Sequence, residues 1–111
     1  MAKVGRFVTD PKAGAYCQIT LDSGEKIIVN HDKGGFKGGR LTIEVTRLMG
    51  FSSEQIFACN LDSPAGAAAL ERLTAAAQGV DATPLGAFVK HVKDCGSVAE
   101  VKTRCAALST G

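Results

Sequence analysis

The chain has 111 residues, 45% of them hydrophobic and 22% charged. That composition excludes wholesale disorder and fits one globular domain, long enough to bury roughly two-thirds of its unfolded surface. The net charge of +2 is too small to announce nucleic acid by itself, and all of the excess falls in residues 1–61.

No apolar run approaches the roughly 18 residues that a membrane helix needs. The N-terminal MAKVGRFVTD carries positive charge but no apolar segment of signal-peptide length, so it reads as mature cytoplasmic sequence.

The first half is β in character. Val4 to Val8 forms a short run, bounded by Pro11 and Gly14 in a turn. From Ala15 to Leu21, Ala15, Cys17, Ile19 and Leu21 share one face and Tyr16, Gln18 and Thr20 the other. Asp22 to Glu25 then supplies hairpin chemistry. Lys26 to Asn30 contains Ile27, Ile28 and Val29, which predicts a strand buried on both faces or central in a sheet.

His31 to Arg40 follows as a glycine-rich loop, two copies of a Lys-Gly-Gly step with Phe36 between them. Leu41 to Arg47 alternates cleanly, with Leu41, Ile43 and Val45 expected to face the core. Gly50 to Gln55 is expected to make one helical or 3₁₀ turn, because Ser52 or Ser53 can cap it. A last strand is expected from Ile56 to Leu61.

At Asp62 the period changes. Asp62-Ser63-Pro64 is a helix start, and helix one is expected to run to about Gln78 with Leu70, Leu73 and Ala77 buried. Thr83-Pro84 opens helix two, where Leu85, Phe88, Val89 and Val92 fall on one face before Gly96 stops it. Ser97 to Glu100 forms a capping box for helix three, whose apolar face is Val98, Val101, Cys105 and Leu108. Lys90 with Asp94 and Glu100 with Arg104 stand at ion-pair spacing.

The fold class is therefore α+β. A five-stranded, mostly antiparallel sheet or small barrel over residues 3–61 is followed by two to three helices over residues 63–109. The strand order resembles that of SH3-like barrels, in architecture alone. The helical part, residues 62–111, is poor in bulky side chains and is expected to pack on the β part.

The main candidate site is the loop Lys33, Gly34, Gly35, Phe36, Lys37, Gly38, Gly39 and Arg40, three positive charges with no acid among them. Its glycines free the backbone N–H groups, its cations suit phosphates, and Phe36 suits stacking on a base. The spacing does not match a nucleoside-triphosphate loop, and here the loop opens a strand, not a helix. The same residues also suit a solvated connector with Phe36 folded onto the core.

His31 and His91 are weaker candidates. His31 could act as a general base, but Asp32 beside it points to the opposite face of an extended chain. His91 lies between Lys90 and Lys93, off the apolar face of helix two. Cys17, Cys59, Cys95 and Cys105 form no Cys-x-x-Cys pair and read as reduced core thiols. Neither a metal nor another cofactor is expected, and no nucleophile motif appears.

Binding is thus the leading expectation over catalysis: contact with a protein partner or a homo-oligomer. Nucleic acid on the loop is the runner-up. A small-molecule pocket, or a small enzyme using His31, comes third.

Overall fold

The structure is a computed structural model, and it describes residues 3–10, 14–32, 39–47, 52–77 and 83–110. Five strands form an open antiparallel meander: β1 (Lys3–Asp10), β2 (Gly14–Thr20), β3 (Lys26–Asp32), β4 (Arg40–Arg47) and β5 (Ser52–Asn60). Three helices follow: α1 (Pro64–Ala77), α2 (Pro84–Val92) and α3 (Val98–Thr110). The fold is α+β, as the sequence implied. Since β1 and β5 are opposite edges of the sheet, it does not close into the barrel that the strand order also allowed.

Alternation divides the sheet into two faces. Cys17 and Ile19 of β2, Ile27 and Val29 of β3, and Leu41, Ile43 and Val45 of β4 turn to one side and are buried. The helices cover that side with Leu73 of α1, with Leu85, Phe88, Val89 and Val92 of α2, and with Val98, Val101, Cys105 and Leu108 of α3. All four expected apolar positions of helix two and all four of helix three are buried. In α1, Leu73 is buried as expected and Ala69 joins it, whereas Leu70 is half-buried; the side chain of Ala77 lies outside the described ones. Phe57 of β5 packs its ring on Phe88 with centroids 5.6 Å apart, an edge-inclined contact between sheet and helix layer.

The helix starts follow their caps. The Gly66 N–H donates to Ser63 Oγ at 3.0 Å, and the Gly86 N–H donates to Thr83 Oγ1 at 3.1 Å. Ser97 caps α3 by accepting from the Glu100 N–H at 3.4 Å. Arg104 does not pair with Glu100 as its spacing invited. Its guanidinium bonds the Asp94 carboxylate and donates to the His91 carbonyl oxygen.

One element departs from the expectation. Ser52 to Gln55 is not a helical turn but the first half of β5, because the four residues pair with Arg47, Thr46, Val45 and Glu44. Ladder bonds to a neighbour outweigh the local capping preference of two serines. A bulge at Ile56 then restores the face, so that Ile43 stands opposite Phe57. The predicted strand ends also move outward: β3 continues to Asp32 because Gly14, Asp32 and Arg40 still pair in one row.

Candidate functional site

Two surfaces stand out: the exposed β1 edge, and the sheet face that the helices leave uncovered. On β1 every described side chain from Lys3 to Thr9 is exposed. The apolar residues Val4 (43%), Phe7 (43%) and Val8 (41%) are among them, next to Tyr16 (43%) on β2. Val4 and Phe7 form a patch on one face of that edge, and Val8 stands with Tyr16 on the other.

A bulge organises this patch. Val4 pairs with Ile19 and Phe7 with Cys17, so Gly5 and Arg6 together stand opposite Gln18. Residues three apart would normally face opposite sides of a strand. The extra residue returns both Val4 and Phe7 to the helix side, which their partners Ile19 and Cys17 share. Gly5 permits the close pairing: a Cβ there would come within 2.9 Å of the Gln18 carbonyl oxygen. Cys17 reinforces the bulge by donating from Sγ to the Gly5 carbonyl oxygen at 3.4 Å. Yet the helices pack mainly on β2, β3 and β5, so Val4 and Phe7 extend past their cover.

The uncovered face is polar. Arg40, Thr42 and Glu44 project there from β4, beside Asp32 and Asn30 of β3, Tyr16 of β2 and Gln55 of β5. Together they line a groove of about 400 Å³. Thr42 is its floor, only 8% exposed.

Among the residues singled out in the sequence, Arg40 and His31 border this groove; Lys33, Gly34, Gly35, Phe36, Lys37 and Gly38 lie outside the described residues. Gly39 is buried, with φ +93°, against the imidazole of His31. His31 is strand, not loop, and its side chain turns to the helix side with Ala15 and Leu41, leaving it 7% exposed. Asp32 is exposed on the other face, so the two adjacent residues are separated by the sheet, as alternation requires. His91 lies between helices: its Nε2 sits 3.3 Å from the Arg104 carbonyl oxygen while Arg104 donates to the His91 carbonyl. It thus lies across the sheet from the groove.

The cysteines are free thiols, three of them buried and Cys59 half-buried. Burial raises the pKa of all four, and Cys105 is pushed up to about 12 by desolvation first and by its neighbour Cys95 second. A thiol held protonated is a poor nucleophile. Among the described residues no group of three or more His, Cys, Asp or Glu is placed to hold a metal ion. No described helix is long and apolar enough to cross a membrane.

Sequence reasoning passed over β1 as a surface because a single apolar run carries no sign of its exposure. The usable signal was Gly5, which breaks the alternation between Val4 and Phe7. Thr42 and Glu44 were legible as the polar face of a strand, but not as a groove. No known protein family, curated protein or solved structure matches this chain.

Proposed function

We propose that this protein is a binding module that adds a strand of another chain to its β1 edge, with a second copy of itself as the foremost partner. The observation that supports this reading is the exposed, bulged β1, which among the described residues has a neighbouring strand on one side only and carries Val4, Phe7 and Val8. Edges of this kind are templates for strand pairing.

The bulge makes the edge self-complementary. In an antiparallel pairing about a two-fold axis between Gly5 and Arg6, Val4 of one copy lies opposite Phe7 of the other. Lys3 lies opposite Val8, and the two bulges face each other. The paired residues then share faces, and four apolar side chains join into one cluster on the helix side. Isologous pairing of this kind closes after two copies. Four free thiols suit a reducing compartment such as the cytoplasm.

Light scattering over a micromolar concentration series tests the reading. The expected mass is that of two protomers, falling to one in Phe7→Lys, with a melting temperature that rises with concentration in the wild type alone. A mass of one protomer at high micromolar concentration and an unchanging melting temperature would remove self-pairing.

A further inference from the structure

The polar groove holds two sets of groups. At one end Arg40 and Asp32 stand opposite each other across the ladder, and both already have partners within the chain. His31, which also borders the groove, has a partner of its own. The rest of the lining differs: Tyr16, Asn30, Thr42, Glu44 and Gln55. None of these five side chains is held by a hydrogen bond or an ion pair among the described residues. No buried side-chain oxygen or nitrogen among those residues lacks a partner. The Thr42 hydroxyl, unbonded in a residue only 8% exposed, therefore opens into the groove.

Ladder pairing sets these five residues side by side. Tyr16, Asn30 and Thr42 form one row across β2, β3 and β4, and Glu44 with Gln55 belongs to the next. Asn30 and Gln55 each carry a carboxamide, which both donates and accepts. The Thr42 hydroxyl does the same, and the Glu44 carboxylate accepts at two oxygens. Such a set answers hydroxyl groups, which themselves donate and accept. The Tyr16 ring, 43% exposed, adds an apolar surface at the end of its row. Its electron-rich face suits the weakly positive C–H groups on one side of a pyranose ring.

We infer that this groove binds a neutral saccharide, with one pyranose ring against Tyr16 and its hydroxyls bonded to Asn30, Thr42, Glu44 and Gln55. An anion finds the Arg40 guanidinium already engaged and the Glu44 carboxylate repelling it. A cation would pair with Glu44 alone and leave the carboxamides and the ring unused. A neutral polyhydroxyl ligand uses all five. The groove volume of about 400 Å³ lies within the ordinary range for small-ligand sites. This inference does not depend on strand addition at β1, because pairing at that edge extends the sheet without covering its face.

The test is an NMR titration of the chain with three neutral trisaccharides: maltotriose, cellotriose and triacetylchitotriose. At least one is expected to bind saturably at millimolar concentration or below, shifting the backbone amide signals of Tyr16, Asn30, Thr42 and Glu44. Tyr16→Ala should weaken that binding about tenfold, and Tyr16→Phe, which keeps the ring, should lose less. Gln55→Ala should weaken it about three- to tenfold through lost hydrogen bonds. The affinity should not change with salt, since the ligand carries no charge to screen. Should Tyr16→Ala fail to fold, Gln55→Ala decides alone. The inference is overturned if none of the three trisaccharides binds saturably at millimolar concentration, or if these variants bind as tightly as the wild type. Tighter, salt-sensitive binding of an oligothymidylate or of the deacetylated, cationic chitotriose at the same groove would also overturn it.

Discussion

The carboxylate of Glu25, in the β2–β3 turn, accepts a hydrogen bond from the backbone N–H of Val98 at 3.2 Å. Seventy-three residues separate the two in the chain, so the bond ties the sheet directly to the first turn of α3. Around it, Ser23 Oγ donates to the same oxygen at 2.8 Å, and the Ser23 N–H donates to the Gly96 carbonyl oxygen at 3.0 Å. The hairpin turn thus acts as an N-terminal cap supplied from outside the helix. It places an acid where the helix dipole favours negative charge.

Removing that cap should be measurable. Glu25→Ala leaves the Val98 N–H without its protein acceptor and is expected to cost about 1–2 kcal/mol in urea denaturation. Glu25→Gln keeps an acceptor and should cost less. Wild-type stability in Glu25→Ala would mean that water replaces the carboxylate without loss.

Gly39 gives a second prediction. Its φ of +93° is the left-handed region that disfavours other residues, and an added Cβ would stand 2.8 Å from His31 Cδ2. Gly39→Ala is expected to cost about 1–3 kcal/mol from backbone strain alone, with the clash in addition. A double-mutant cycle separates the two: His31→Ala should relieve the clash in Gly39→Ala and leave the strain. Full additivity of the two substitutions would show that the ring and the glycine do not press on each other.

Local periodicity made the helical half readable. In α2 the spacing of Leu85, Phe88, Val89 and Val92 defines one face without help from distant residues, and the α3 spacing from Val98 to Leu108 does likewise. The β4 alternation was equally plain, since Ile43 and Thr42 differ in polarity and must point apart. What escaped was set by pairing. Ser52 and Ser53 resemble a capped turn until Arg47 and Thr46 are placed beside them. The bulges at Gly5–Arg6 and at Ile56 depend on residue counts in the neighbouring strand. The loop glycines advertised a site, yet among the described residues the groove is built from the polar faces of β2 to β5. Its concavity belongs to the sheet and not to any one stretch of chain.

The contrast between core and edge leads to a third prediction. Ile43 is wholly buried, whereas Phe7 is 43% exposed. Ile43→Ala should cost about 2–5 kcal/mol, and Phe7→Ala under about 1 kcal/mol when measured at low protein concentration. Denaturant midpoints of the two variants check this. Equal losses would place Phe7 in the core and leave β1 without a surface to offer a partner.

Alkaline pH should destabilise the fold through its buried thiols. The Cys105 thiol ordinarily titrates at 9.0 and is pushed up to about 12 in the folded chain. The folded state therefore holds a proton that the unfolded state has already lost between those two values. Stability from this group is complete below the lower value and disappears as pH rises to the upper one. Within that window the slope is about 1.4 kcal/mol per pH unit for each proton held. Burial shifts Cys17, Cys59 and Cys95 in the same direction, so the alkaline limb of the wild type should be steeper than one thiol explains. Denaturant titrations in reducing buffer, from neutral pH to about pH 11, measure that limb. Cys105→Ala should start from a lower stability at neutral pH because it leaves a small cavity, and then decline more gently by one proton. An alkaline limb as steep in Cys105→Ala as in the wild type would show that Cys105 ionises in the folded chain as readily as in the unfolded one.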